Sequence, residues 1–211
     1  MPSEPTHTYD PNNRAEVDRR ADDLFGEMMS ESDRGVILVG ASAVDDVLKS
    51  LLSFNLARNE HVAKVAADPL FAGMGPLATF SSRIKLAYAL DLIPRWMFED
   101  LERIRKVRNK AAHEVSAKTF ESNEVVQMTR ALVAAGHFRD SKNGKSLLAL
   151  EKAASDRAGK PQEGASLERI HFTVAIAFIA GHLDGALHRL IDRRATTQSS
   201  SGSSGPASSP Q

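Results

Sequence analysis

The sequence predicts an all-α fold, a bundle of five to seven helices, and three observations carry that reading. Apolar residues recur every three or four positions over long stretches, the period of one helix face. Aromatic residues make up 6% of the 211-residue chain while alanine and leucine are plentiful, which favours helices over sheets. Nowhere does an apolar–polar alternation persist beyond a few residues, so no strand pattern competes.

Residues 1–12 are polar and contain Pro2, Pro5 and Pro11; they are expected to be disordered. A first helix is predicted from about Asn13, with Val17, Leu24, Phe25 and Met28 on one side. Ser30 to Gly35 reads as a break and a new N-cap, because Ser and Asp oxygens satisfy free helix-start amides. A second, largely apolar helix runs to about Ala57 and belongs at the centre of the bundle. Gly35 and Gly40 within it imply close approach by another backbone or side chain.

A short helix over His61–Ala66 is followed by the loop Asp68–Pro76 and a helix from about Leu77 to Leu90. Pro94 opens the next helix, where a first-turn proline costs nothing. Asn123 to Ala135 is predicted as one helix stopped by Gly136. Ser146–Ser155 reads as a short helix and Asp156–Gly164 as an exposed loop. The last helix runs from Ser166 to about Arg193. The domain is therefore expected over 13–194, with a disordered Ser/Gly/Pro tail over 195–211.

Composition narrows the function classes. Lys plus Arg and Asp plus Glu are equal at 27 each, so no global field draws the chain to DNA or to an anionic membrane. Cysteine is absent, which excludes disulfides, thiolate zinc sites and cysteine nucleophiles, and fits a reducing cytoplasm. Phe172–Leu190, the longest apolar stretch, is interrupted by His182, Asp184 and His188, so no membrane span is expected. His171, His182 and His188 lack i,i+4 spacing, and Gly73-Met74-Gly75-Pro76 lacks the Lys-Ser/Thr of a phosphate loop. No metal and no cofactor is predicted.

The helix after Pro94 carries the strongest functional signal. Its apolar positions Met97, Leu101, Ile104, Val107, Ala111 and Ala112 form one stripe, and Arg108 falls near the centre of that stripe at 100° per residue. A guanidinium cannot neutralise itself, so Arg108 needs a carboxylate such as Glu31 or Asp33, an anion or a cavity. His113 follows five residues later and is suited to proton transfer near neutral pH, with Asn109 one turn before it. Arg108 and His113 are thus either a structural ion-pair device or a small active site. Arg103, Lys106 and Lys110 lie on the outer face and could contact phosphates, but Glu99 and Glu102 precede Arg103 and Lys106 by four, the spacing of ordinary ion pairs. Glu31 and Asp33 suit a helix start; Arg34 does not, and is expected to face a partner or the Arg108 region.

Three blocks together resemble the mannitol-operon repressor (MltR-like) family of bacteria: Glu31–Gly35, Gly75–Leu90 and the Arg108–His113 helix. The resemblance spans roughly residues 15 to 135. It implies an all-helical transcriptional regulator that lacks an evident DNA-binding motif and represses in a cofactor-like manner. The third block also resembles the Arg-x4-His signature of HEPN domains, which are helical dimers. That likeness implies a metal-independent endoribonuclease, a toxin or phage-defence effector, with Arg108, Asn109 and His113 as catalytic residues at a dimer seam. Two readings follow. The first is a dimeric cytoplasmic regulator that holds a protein partner, with Glu31, Asp33, Arg34, Arg103, Lys106 and Lys110 as binding residues and no specific DNA contact of its own. The alternative is the ribonuclease, with RNA as partner.

Overall fold

The computed structural model describes residues 23–57, 69–113, 120–140 and 166–201, and these form helices and connecting turns without a strand. The predicted short helices at 61–66 and 146–155, the loop at 156–164 and most of both tails lie outside the described residues. In chain order the helices are α1 (23–30), α2 (Asp33–Leu56), α3 (Phe80–Ala89), α4 (Arg95–His113), α5 (Asn123–Arg130), α6 (Val133–Arg139) and α7 (Leu167–Ser201).

The break between α1 and α2 forms as the sequence predicts. Ser32 is the N-cap of α2, its hydroxyl accepting from Gly35 N at 3.1 Å, and Asp33 adds a carboxylate to the first turn. Helix α2 buries Val36, Ile37, Val44, Leu48, Leu51 and Leu52. It packs along α7, which contributes Phe172, Ala175, Ile176, Ile179 and Leu183. These two helices run parallel: Arg169 of α7 reaches Asp33 at the start of α2, and Arg194 reaches Phe54 O at its end. Gly40 is the close approach, since a Cβ there would lie 2.8 Å from Met28 Sδ and 3.2 Å from Ile176 Cγ1. At Gly35 the close neighbour is a side chain, that of Glu31 one turn back.

Helix α7 extends to Ser201, beyond the predicted end at Arg193, and Thr196 bonds back to the carbonyls of Asp192 and Arg193. Leu167–Thr196 is long and apolar enough to cross a membrane by composition, contrary to the sequence reading. Its apolar face, however, is packed against α2 and α6, as in the core helix of a bundle.

Two further boundaries differ from expectation. Helix α3 begins at Phe80 rather than Leu77, because Thr79 caps it (Ser82 N to Thr79 Oγ1, 3.1 Å). The residues before it close a loop, Leu77 N bonding to Leu70 O at 2.8 Å. The single helix predicted over 123–135 is instead α5 and α6, with a corner at Ala131–Leu132, and Gly136 lies inside α6 rather than stopping it. The cause sits on another helix. The buried carboxylate of Asp100 accepts from Val133 N (3.1 Å) and Ala134 N (2.8 Å), so it satisfies the free amides of a new helix start.

Candidate functional site

Helix α4 buries Met97, Asp100, Leu101, Ile104, Val107 and Ala111 within one chain. Its apolar stripe therefore meets α2, α3, α5 and α6, and what it offers to a second copy is its charged outer face. At 100° per residue Arg108 lies inside the arc of this stripe, between Met97 and Leu101 and about 40° from its middle. It is half-buried, and neither Glu31 nor Asp33 meets it; no described residue pairs with it. Asn109, Ala112 and His113 are exposed, so the end of α4 is open.

The acidic residues of the α1–α2 corner face elsewhere. Asp33 pairs with Arg169 at 2.9 Å, and the same guanidinium donates to the carbonyls of Met28 (3.2 Å), Met29 (3.1 Å) and Glu31. That arginine thereby satisfies the last carbonyls of α1, a place where cations are favoured. Arg34 does reach the Arg108 region: it donates to Ala112 O at 3.2 Å and so covers the C-terminal end of α4.

The outer cations divide. Arg103 bonds Asp100 at 2.8 Å and lies 3.8 Å from Glu99, Arg105 pairs with Glu102 at 2.8 Å, and Lys110 pairs with Glu124. Lys106 is exposed and has no carboxylate among the described residues, because Glu102 turns to Arg105 instead. The structure thus brings Arg34, Lys106, Arg108, Asn109 and His113 to one end of the molecule. Asp33 turns to Arg169, Glu31 folds back toward Gly35, and Arg103 and Lys110 are neutralised by carboxylates.

Sequence reasoning missed three buried or clustered groups. Asp45 of α2 and Arg83 of α3 form a bidentate pair at 2.7 and 2.6 Å, 9% and 8% exposed, with Arg83 also donating to Leu77 O at 2.7 Å. Asp100 is fully buried, and burial pushes its carboxyl above the usual carboxylate range against the opposing pull of Ala134 N, Val133 N and Arg103. On the surface, Trp96 lies 4.9 Å from the His137 ring and 5.9 Å from His182, while Phe178 lies 4.2 Å from His182. The first two groups had a signal, a charge on an apolar helix face, which is the criterion that singled out Arg108. The aromatic cluster comes from three separate helices and leaves no local pattern.

Among the described residues no group of three or more metal-ligating side chains converges. The open end of α4 can supply cations and hydrogen-bond donors to an anionic surface.

The sequence profile of the family described as mannitol repressor matches residues 22–152. The chain belongs to the mannitol repressor family. Within the family, the mannitol operon repressor of Escherichia coli K12 is 27% identical over 93 residues, which is 44% of this chain and 48% of that protein. The repressor of the same name from E. coli O6:H1 strain CFT073 gives the same figures. The chain thus spans about half the length of the curated relatives it matches. Among solved structures, the X-ray structure of the MtlR–HPr complex from E. coli contains a chain that superposes with a TM-score of 0.59 at 18% identity, covering 80% of this chain and 99% of that one. YggD of Shigella flexneri 2a, described as a possible transcriptional regulator, gives 0.58 at 14% identity, covering 79% and 97%. Identities this low speak for a common helical fold alone.

The block Gly75–Leu90 supplies the closed loop, the Thr79 cap and Arg83, the arginine that locks α3 to α2.

Proposed function

We propose that this mannitol-repressor family member is a cytoplasmic transcription regulator of a mannitol operon that works by holding a protein partner, without a DNA-reading element of its own. The observation that carries the reading is membership of the mannitol repressor family over residues 22–152. The suggestion of a partner comes from a chain of the same helical fold whose crystal structure is a complex with HPr. An HPr-type protein is therefore the first partner to test. The protein is expected to be a homodimer. Because the apolar stripe of α4 is buried within one chain, a dimer seam along α4 would have to use its polar outer face.

Calorimetric titration of HPr into the purified protein tests the reading, with sedimentation to give the stoichiometry. Saturable binding is expected; a folded protein that takes up no HPr while retarding mannitol-operon DNA by itself would overturn it.

One observation favours the ribonuclease alternative: Arg108 has no described carboxylate, and it shares the open end of α4 with Asn109 and His113. In that case His113 would move the proton and Arg108 would stabilise phosphate charge, with no metal required. RNA cleavage in EDTA that disappears in His113→Ala would establish the enzyme. Intact RNA after incubation with a folded dimer would dismiss it.

A further inference from the structure

The loop that precedes α3 presents one thioether to solvent. Met74 is fully exposed, whereas Met28 and Met97 are 0% and 3% exposed and Met29 and Met128 are half-buried. The exposure is built into the backbone. Phe71 and Leu77, on either side of the tip, are buried. Between them the loop is closed by Gly75 N to Ala72 O (2.9 Å), Leu77 N to Leu70 O (2.8 Å) and Ala78 N to Gly75 O (3.0 Å). Gly73 takes a left-handed φ of 56°, and Gly75 lies so close to Pro69 O and Leu70 O that no side chain fits there. The tip therefore holds Met74 away from the core, and the favourable burial of a large apolar side chain is forgone. What distinguishes the residue is its chemistry. The chain has no cysteine, so its six methionine thioethers are the only sulfur that a peroxide can oxidise.

We infer that Met74 is a reversible oxidation site, which hydrogen peroxide converts to methionine sulfoxide ahead of the other described methionines and without loss of the fold. The sulfur lone pair attacks one peroxide oxygen and the O–O bond breaks. That oxygen stays on sulfur and the other leaves as water, so the thioether loses two electrons and the peroxide gains them. The return step takes two electrons from the dithiol of a methionine sulfoxide reductase, which becomes a disulfide while the oxygen departs as water. With no cysteine, this chain cannot supply that dithiol itself. A sulfoxide at Met28 or Met97 would place a polar oxygen among buried aliphatic groups and damage the core. At Met74 the new oxygen meets water, so oxidation changes the polarity of one surface knob and leaves the bundle as it is.

The test treats the whole folded protein with limiting hydrogen peroxide and follows each methionine by peptide mapping and mass spectrometry. Sulfoxide should form at Met74 at least about tenfold faster than at Met28 or Met97, with Met29 and Met128 between them. In denaturant these five methionines should react alike. Protein oxidised at Met74 should melt as the untreated protein does, and the two reductases, one for each sulfoxide epimer, should restore the thioether. Met74→Leu should remove the first sulfoxide to form and leave the melt unchanged. Oxidation of Met28 or Met97 at the rate of Met74, or a Met74 preference that persists in denaturant, would overturn the inference. So would a lowered melt on oxidation at Met74, or a sulfoxide that the reductases leave in place.

Discussion

Asp100→Ala is the substitution with the most legible consequence. The carboxylate is fully buried and accepts from Val133 N at 3.1 Å, Ala134 N at 2.8 Å and Arg103 at 2.8 Å. Alanine leaves two helix-start amides of α6 without an acceptor, one of them at a residue with no exposed surface. A buried unsatisfied donor costs about 1–3 kcal/mol and a lost N-cap about 1 kcal/mol, so the expected total is about 3 kcal/mol. For a domain of this size that lowers Tm by roughly 6–12 °C. Urea unfolding followed by circular dichroism measures the loss, and amide exchange should place it first in α6. Asp100→Asn keeps one acceptor oxygen and should fall between wild type and alanine. A loss below about 1 kcal/mol in the alanine variant would refute the capping role. The same carboxyl gives a pH signature. Because burial raises its folded pKa, the folded state holds its proton more tightly than the unfolded chain does. The stability of wild type relative to Asp100→Asn should therefore be greatest below the unfolded value of about 3.9 and fall as pH rises through the folded pKa. A difference that grows with pH over that interval would contradict the assignment.

Three other outcomes follow from the packing. Arg83→Leu should cost about 3–5 kcal/mol by leaving Asp45 buried and uncompensated, while Asp45→Leu/Arg83→Leu should recover much of that loss in a double-mutant cycle by denaturation. Gly75→Ala should be the more damaging of two glycine changes, since its Cβ would lie 2.4 Å from Pro69 O and 2.5 Å from Leu70 O, both backbone atoms. Gly40→Ala meets Met28 at 2.8 Å and both branches of buried Ile176 at 3.2 and 3.3 Å, so crowding should outweigh the helix propensity gained and leave a net loss of about 1–2 kcal/mol in thermal melts. Arg194→Ala should destabilise the end of α2 locally, because Arg194 bonds Phe54 O at 2.9 Å and lies 4.1 Å over the Phe54 ring; faster amide exchange near residues 54–57 would register it.

Helix content, the Ser32 cap and the central place of α2 were legible because each depends on residues adjacent in sequence or one turn apart. The α5–α6 corner was not, because the carboxylate that creates it lies about thirty residues earlier on α4. A charge on an apolar stripe meets its counterpart at Asp45, Arg83 and Asp100, but Arg108 has none among the described residues and is half-buried instead. The poor fit of Arg34 to a helix start is legible in the sequence, and its acceptor, Ala112 O, lies 78 residues away on α4. The division among Arg103, Lys106 and Lys110 depended on which rotamers met Glu99, Glu102 and Glu124, and spacing alone does not fix that.

The most direct measurement is an NMR titration of HPr into the isotope-labelled protein. A saturable and localised set of shifts is predicted; a folded protein whose spectrum stays unmoved at saturating HPr would contradict the partner-holding account.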